Sequence, residues 1–220
     1  MQSAIHTCPL CLSTGATLFH TSTLKNLERD YLHCNTCDLV FVPPEFHLDV
    51  DAARDRYLTH DNDPDDPDYR SFLSRLWDVL RPRLPEGAHG LDYGAGPGPA
   101  LAAMIEEDGF SAALYDPLFH PDETVLADTY DFITCTETVE HFSNPRAHFL
   151  RLRRLLMPGG WIGIMTDILE DRDGFADWYY HRDPTHVAFY TSRTFRWISE
   201  WLGLEVELSR ERVVVLRKRG

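Results

Sequence analysis

The sequence lacks a long apolar run, and no hydrophobic stretch approaches the roughly 18 residues that a membrane-spanning helix requires. Its first residues, MQSAIHTCPLC, have neither the basic lead nor the apolar run of a secretory signal peptide. We therefore expect a cytoplasmic protein with no membrane partner.

Positive charge is also scarce, because 21 lysines and arginines face 35 aspartates and glutamates, for a net charge of −14. A surface of this sign repels phosphate backbones and anionic lipid headgroups on average. Nucleic acid is therefore disfavoured as a partner unless a local basic patch overrides the average, and a small-molecule substrate is favoured. With 220 residues, 43% of them hydrophobic, the chain can form one packed domain and a small satellite module. The composition specifies no oligomeric state.

The chain has only five cysteines, but four of them form two CxxC pairs separated by 22 residues. Zinc prefers a tetrahedron of four thiolates, and each CxxC turn presents two sulfurs to one ion. In a reducing compartment such pairs indicate metal binding rather than disulfides. Residues 1–43 are thus expected to form a module that resembles a zinc ribbon, in which His6 and His33 are competing ligands. The predicted ligands of this structural zinc are Cys8, Cys11, Cys34 and Cys37.

Residues 44–68 are rich in proline and aspartate and are predicted to form an acidic linker or lid. Asp68 is expected to cap the amphipathic helix that the apolar spacing predicts over 69–81. Tyr57, His60 and Tyr69, before and at the start of this helix, are candidates for covering a ligand.

Strand and helix patterns alternate from residue 88 onward, which predicts a parallel sheet covered by helices, with ligands at the C-terminal ends of its strands. The first strand runs into the turn LDYGAGPGP, with glycines at Gly94, Gly96 and Gly98. Two prolines in this turn lack the N–H groups that a pyrophosphate cradle uses, so a dinucleotide is disfavoured. Asp116 lies 20 residues after Gly96 at the end of the next strand, where a carboxylate reaches ribose hydroxyls.

These motifs, together with YDFITCTETVEHF and LMPGGWIGI, resemble the class I S-adenosylmethionine-dependent methyltransferases over about residues 69–217. The resemblance implies a Rossmann-like α/β fold with a mostly parallel sheet, a methyltransferase domain over 69–220, and S-adenosylmethionine as cofactor. It also implies which residues contact that cofactor: Gly94, Ala95, Gly96 and Gly98 behind it, Asp92 at its methionine end and Asp116 at its ribose hydroxyls.

The chain departs from the family pattern after Asp116, because only 15 residues separate it from Phe132. This length is too short for the usual helix and a full third strand before the fourth strand. We expect the segment ETVLAD to form a shortened third strand. Asp128, which ends that segment, is the candidate for contacting the adenine amine.

The stretch TETVEH places Glu137, Glu140 and His141 at i, i+3 and i+4, positions that share one face of a helical turn. It is similar to the metal-binding segment of small-RNA 2′-O-methyltransferases and of ubiquinone-pathway O-methyltransferases. That similarity implies a second, divalent metal, with His186 as the further ligand. Without metal, His141 or His186 can act as general base near neutral pH. A scaffold role, in which this segment packs against the cofactor or caps a helix, is the third alternative.

Residues 167–190 form a long connection at the ligand edge of the predicted sheet, and such loops usually carry function. We expect a substrate lid whose aromatic side chains enclose a flat or sugar-like acceptor, with Arg182 available for an anionic group. The alternative is that these aromatics fill the core of the insert. The side chains concerned are Trp178, Tyr179, Tyr180 and His181.

Together these features predict methyl transfer from S-adenosylmethionine to a small-molecule acceptor, at a hydroxyl or at a sugar or metabolite carbon. An RNA methyltransferase that uses its zinc ribbon to bind RNA is the main alternative. A non-catalytic adaptor built on a cofactor-binding fold is a third.

Overall fold

A computed structural model describes residues 6–59 and 63–220, so His60 lies outside the described residues. The N-terminal half contains, in chain order, β1 (Thr17–Ser22), β2 (Arg29–His33), β3 (Val40–Phe41), α1 (Val50–Tyr57), α2 (Pro67–Leu80), β4 (His89–Tyr93), α3 (Ala100–Glu107) and β5 (Ser111–Tyr115). The C-terminal half contains β6 (Tyr130–Thr136), α4 (Pro145–Leu155), β7 (Leu156–Met165), β8 (Ala188–Phe189), α5 (Ser192–Leu202), β9 (Leu204–Arg210) and β10 (Val213–Lys218).

The central sheet has six strands in the order β5-β4-β6-β7-β10-β9. Strands β5, β4, β6 and β7 are parallel, while β10 runs antiparallel to β7 and forms a hairpin with β9. The expected Rossmann-like α/β fold with a mostly parallel sheet is therefore confirmed. The parallel strands align their C-terminal ends at one edge, so Asp92 lies beside Thr134. This edge carries the candidate site.

The sheet has no third strand at its β5 edge within the described residues, and the expectation of a shortened strand at ETVLAD is wrong. Residues Glu123–Ala127 form a 3-10 helix instead. The carboxylate of Asp122 caps this turn by accepting a hydrogen bond from the backbone N–H of Thr124 at 2.9 Å. The connection between β5 and β6 is too short for a helix and a strand. It contains this capped turn instead, in which only Leu126 is buried.

Helix α2 begins two residues earlier than the sequence predicts, and Asp66 rather than Asp68 is its N-cap. The Asp66 carboxylate accepts from the N–H of Asp68 at 2.9 Å, and Pro67 occupies the first helical turn. Proline fits there because its missing N–H has no helical partner. The predicted apolar face is otherwise confirmed, since the helix buries four apolar side chains against the sheet: Leu73, Leu76, Trp77 and Leu80.

The N-terminal module and the insert at 167–190 share a second sheet, in the order β1-β2-β3-β8. Strand β8 comes from the insert, and it pairs with β3 through Val40 opposite Phe189. Their side chains form a common apolar cluster in which Tyr31 and Phe175 have ring centroids 5.0 Å apart. The module thus packs on the insert of the methyltransferase domain rather than standing apart from it.

The predicted linker contains helix α1, which has no buried residue. Arg56 at its C-terminal end forms an ion pair with Asp183 of the insert at 2.7 Å. The ring of Tyr57 meets the ring of His141 edge-on, with centroids 5.0 Å apart. These two contacts hold α1 over the C-terminal edge of the central sheet. Among the described residues, no helix combines the length and the apolar character needed to cross a bilayer.

Candidate active site at the C-terminal edge of the sheet

A cavity of about 790 Å³ opens at the C-terminal ends of β4, β5 and β6. Its size is that of a pocket for a small molecule or cofactor, which typically measures about 300–1,000 Å³. The glycine turn and Asp116 line one part of it, and His141, His186 and residues of the insert line another. The cavity therefore brings together most of the residues that the sequence singled out.

The backbone of the glycine turn at the end of β4 runs close to Thr138, which follows β6. Gly94 has a φ of 87°, and a Cβ atom there would lie 2.2 Å from Cγ2 of Thr138. Its N–H donates to the carbonyl of Tyr115 at 2.7 Å, which ties the turn to β5. Gly96 also has a positive φ, of 65°, a conformation that favours glycine. No larger residue would keep this backbone path.

Asp116 is held in a fixed orientation at the end of β5. Its Oδ1 accepts from the N–H groups of Leu118 at 2.8 Å and Phe119 at 3.1 Å, and its Oδ2 accepts from the N–H of Gly96 at 3.2 Å. A carboxylate oxygen has capacity for more than one hydrogen bond, so these contacts leave acceptor capacity for hydroxyl groups. The carboxylate lines the cavity next to the glycine turn. This arrangement fits a ligand that carries a ribose.

Asp92, the second acid on the cofactor side, is only 2% exposed. Its Oδ1 accepts from the hydroxyl of Thr134 at 2.8 Å. Burial raises the pKa of Asp92 to about 6, although this hydrogen bond opposes the shift. Because burial disfavours the carboxylate, a cationic group in the cavity would stabilise it.

Of the remaining residues predicted to contact the cofactor, two line the cavity and one does not. Ala95 and Gly98 line the cavity. Asp128 is exposed at the end of the 3-10 helix and is not among the lining residues. The side chains of Pro117, Leu118 and Phe119 line the cavity beyond Asp116, where sequence reasoning had nominated no contact.

The four paired cysteines converge in the N-terminal module. Their Sγ atoms all lie within 4.8 Å of one another, with Cys8 3.5 Å from Cys37 and Cys11 3.4 Å from Cys34. Four sulfurs that bind one zinc at about 2.3 Å stand roughly 3.8 Å apart in a tetrahedron. The cluster is therefore consistent with a zinc ribbon. His33 is not part of it, because its Nε2 pairs with Asp38 at 3.0 Å.

Glu140, His141 and His186 form a second group, with ligand-type atoms within 4.8 Å of one another. The Nδ1 of His141 faces the carbonyl of Thr185 at 3.1 Å, and the Nδ1 of His186 faces the carbonyl of Tyr180 at 2.7 Å. Since a carbonyl only accepts, each Nδ1 carries a proton in this arrangement. Burial lowers the pKa of His186 to about 3, which keeps this imidazole neutral.

Glu137 lies before the short helical turn and outside this group. Its φ of 47° is rare for a residue with a side chain and turns the carboxylate toward Arg212. Oε2 accepts from Arg212 at 2.8 Å, while Oε1 is buried without a hydrogen-bond partner among the described residues. The expected convergence of three side chains on one helical face thus applies to Glu140 and His141, whereas Glu137 pairs with Arg212 and shares only the hydroxyl of Tyr180 with Glu140, at 3.3 Å from Glu137 Oε2.

Glu140 is fully buried beneath the two histidines. Its Oε1 accepts from the hydroxyl of Tyr180 at 2.6 Å, and its Oε2 accepts from the hydroxyl of Thr166 at 3.0 Å. Burial raises the pKa of Glu140 and of Glu137 above the usual carboxyl range, while Arg212 opposes the shift at Glu137. Both glutamates therefore bind protons more readily than an exposed glutamate does.

Sequence reasoning missed Arg212 and Thr166. Arg212 lies in the turn between β9 and β10, and its guanidinium contacts Glu137, the hydroxyl of Tyr179 at 2.6 Å and Asp167 at 3.3 Å. In the run SRERVV, no sequence pattern distinguishes Arg212 from its exposed neighbour Arg210. Only the strand order, which brings the hairpin beside β7, shows its position.

The insert divides its aromatic residues between the cavity and the N-terminal module. Tyr179, Tyr180 and Arg182 line the cavity. His181 is fully buried and stacks on Phe175 with ring centroids 4.8 Å apart, as part of the cluster shared with the module. Both sequence-based alternatives, lid and core, therefore describe part of the insert.

A family model described as a methyltransferase domain matches residues 65–209. The chain belongs to this methyltransferase family. The match covers the glycine turn, Asp116, the histidine group and the insert. The expected class I methyltransferase, an enzyme of the S-adenosylmethionine-dependent type, is confirmed. No curated protein sequence matches the chain.

Solved methyltransferase structures show a similar fold. A SAM-dependent methyltransferase from Archaeoglobus fulgidus has a TM-score of 0.51 and 17% identity, covering 68% of this chain and 94% of its own. CalO1, a methyltransferase of calicheamicin biosynthesis in its SAH-bound form, has a TM-score of 0.49 and 13% identity, covering 68% of this chain. NcsB1, an O-methyltransferase of neocarzinostatin biosynthesis, has a TM-score of 0.47 and 9% identity over 69% of this chain. This methyltransferase spans 54% of the CalO1 chain and 56% of the NcsB1 chain.

Proposed function

We propose that the protein transfers a methyl group from S-adenosylmethionine to a small-molecule acceptor, at a hydroxyl or at a sugar or metabolite carbon. The observation that carries this proposal is the division of one cavity into two parts. Asp92, Asp116 and the glycine turn line the first part, and His141 and His186 line the second. S-adenosylmethionine held by the first part would supply an electrophilic methyl group to an acceptor in the second.

The cofactor side is proposed to bind through charge and hydrogen bonding rather than through phosphate contacts. Asp116 would accept both ribose hydroxyls, since its orientation is fixed by three backbone N–H groups. Asp92 would lie near the methionine ammonium, whose positive charge offsets the cost of burying the carboxylate. The turn between the two acids requires glycine at position 94, because a Cβ there would lie 2.2 Å from Cγ2 of Thr138.

On the acceptor side, His141 is the proposed general base. Its Nδ1–H is donated to the carbonyl of Thr185, so Nε2 receives the proton that leaves the acceptor. The Glu140 carboxylate lies 4.0 Å from this Nε2 and would stabilise the imidazolium that forms.

A divalent metal is the alternative arrangement for the same residues. Glu140, His141 and His186 offer two imidazole nitrogens and one carboxylate oxygen, a set that suits a transition metal. A metal held there would bind the acceptor hydroxyl and lower its pKa. Element analysis separates the two forms: one zinc per chain favours His141 as base, whereas a second metal that is lost in His186→Ala favours the metal.

A small acceptor is proposed over RNA because two of the three arginines that line the cavity are paired with carboxylates. Arg56 is paired with Asp183, and Arg212 with Glu137 and Asp167. An RNA site needs cations free to contact phosphates, and its binding weakens steeply with salt. The net charge of −14 also opposes RNA.

The test uses methyl-labelled S-adenosylmethionine with a mixture of hydroxylated metabolites and, separately, total RNA. The proposal expects label in low-mass products, with a loss of about 10²-fold to 10⁴-fold in His141→Ala. His89→Ala is the matched control, because His89 is exposed at the start of β4 and far from the cavity wall. Label that appears only in precipitated RNA would refute the small-molecule acceptor and support the RNA methyltransferase.

A further inference from the structure

The stretch 180–186 of the insert lines the cavity on one side and contacts the N-terminal module on the other. Toward the cavity it presents Tyr180, Arg182, Asp183 and His186, which form a large part of the acceptor side. Its opposite side carries backbone carbonyls that point into the N-terminal module. The position of the acceptor-side groups therefore depends on what holds these carbonyls.

Arg29 at the start of β2 is the group that holds them. Its Nη1 donates to the carbonyl of Pro184 at 2.9 Å, and its Nη2 donates to the carbonyls of His181 at 2.9 Å and Asp183 at 3.0 Å. Its Nε donates to the hydroxyl of Tyr31 at 2.8 Å. The side chain is only 4% exposed, so these carbonyls stand in for the water that a buried guanidinium loses.

A buried cation is an expensive way to fill a core, and an apolar side chain would pack the module at lower cost. A guanidinium offers something that an apolar group does not, because its planar fork fixes the direction of several acceptors at once. Three carbonyls bound by one rigid group cannot move independently. The backbone of 181–184 is therefore set by a residue of the module rather than by its own local sequence.

Further contacts attach the flanks of the insert to the second CxxC pair. Asp38, directly after Cys37, is paired with Arg172 at 2.5 Å and accepts from the hydroxyl of Thr191 at 2.8 Å. Next to it, β3 pairs with β8, and the N–H of Val42 donates to the carbonyl of Val187 at 2.9 Å. The module thus holds the insert before, within and after the stretch that lines the cavity.

We propose that Arg29 is a positioning residue for the acceptor side, and that the four-cysteine module serves as an internal clamp on the stretch 180–186. The hydrogen bonds of Arg29 to the insert all fall on the acceptor side, whereas the glycine turn and Asp116 are held by hydrogen bonds of their own at the edge of the central sheet. The term acceptor side rests on the proposed function, but the clamp itself does not depend on methyl transfer.

The experiment compares amide hydrogen exchange in Arg29→Met, in the conservative Arg29→Lys and in the wild-type chain, each with S-adenosylhomocysteine as the probe of the cofactor side. The amides of His186 and Val187 report on the clamped stretch, since they donate to Asp183 and Glu140. The amide of Gly94 reports on the cofactor turn. Lys25→Met is the matched control, because Lys25 is an exposed cation of the same module.

The proposal expects exchange in 180–187 to rise about tenfold or more in Arg29→Met, as three charge-assisted hydrogen bonds are lost. Arg29→Lys should restore part of the protection, and Lys25→Met should match the wild type. Exchange near Gly94 and the affinity for S-adenosylhomocysteine should stay within about twofold. Once an acceptor is known, its KM should rise while the KM of the cofactor is unchanged.

Two results would overturn the clamp. In the first, exchange in 180–187 is the same in Arg29→Met as in the wild type. In the second, protection falls equally at 180–187 and near Gly94, which would show that Arg29 only contributes to global stability. A failure to bind S-adenosylhomocysteine in the wild-type chain would instead count against the proposed function, so the two failures are distinguishable.

Discussion

Replacing Asp92 by asparagine should stabilise the cofactor-free protein while it weakens cofactor binding. Burial raises the pKa of this carboxyl from the model-peptide value of 3.8 to about 6. Each pKa unit corresponds to about 1.4 kcal/mol, so keeping the carboxylate ionised in the fold at pH 7 costs about 3 kcal/mol. Asparagine keeps an oxygen acceptor for the hydroxyl of Thr134 and carries no charge. About 3 kcal/mol is therefore the upper bound of the gain.

The gain should depend on pH in a defined direction. Below pH 4 the carboxyl is protonated in the folded and the unfolded chain, so the substitution changes little. Between pH 4 and pH 6 the unfolded chain ionises first, which favours unfolding of the wild type. Above pH 6 the penalty is constant and the gain of Asp92→Asn is complete.

Urea denaturation at pH 7 and pH 4, without cofactor, measures this gain, and calorimetry with S-adenosylhomocysteine measures the loss of affinity, expected at about tenfold or more. Asp78→Asn on the exposed side of α2 is the control and should change stability by less than about 0.5 kcal/mol. The reasoning is refuted if Asp92→Asn destabilises the protein at pH 7, or if its effect is the same at both pH values.

Three further substitutions test other parts of the site. Gly94→Ala should abolish S-adenosylhomocysteine binding in calorimetry, because its Cβ would meet Thr138 at 2.2 Å, whereas Gly109→Ala has a similar φ but open space and should bind normally. Tyr180→Phe should lower the free energy of unfolding by about 1–3 kcal/mol, since Glu140 and Thr166 lose a buried partner; an unchanged value in urea denaturation would contradict the network. Cys37→Ser should lose zinc in element analysis and lower the melting temperature, while Cys135→Ser, in a buried strand, should retain one zinc per chain.

Local patterns predicted the elements that build the cofactor side. The alternation of strands and helices determines a parallel sheet, and the parallel direction alone brings the glycine turn and Asp116 to one edge. The paired cysteines predicted a four-sulfur cluster because the chemistry of zinc sets the spacing. In each case the information lies within a few residues.

The acceptor side could not be predicted in the same way, because it depends on contacts between distant segments. Arg29 meets a stretch that is 152 residues away along the chain, and β3 and β8 are only two residues long each. Glu137 leaves the helical face because its φ is positive, which no propensity of glutamate predicts. The short segment after Asp116 was predicted as a strand but forms a 3-10 helix with Asp122 as its N-cap. Aspartate is common both in turns and at helix N-caps, so its presence did not identify this helix.

The most direct test of the account is a calorimetric titration of S-adenosylhomocysteine into the wild-type chain and into Asp116→Asn, with the fold of both checked by circular dichroism. We predict one binding site per chain in the wild type and an affinity at least about tenfold lower in the variant, since an amide could not accept from both ribose hydroxyls as a carboxylate would. Absence of binding to a folded wild-type chain, or equal affinity in the two proteins, would contradict the assignment of this cavity to the cofactor.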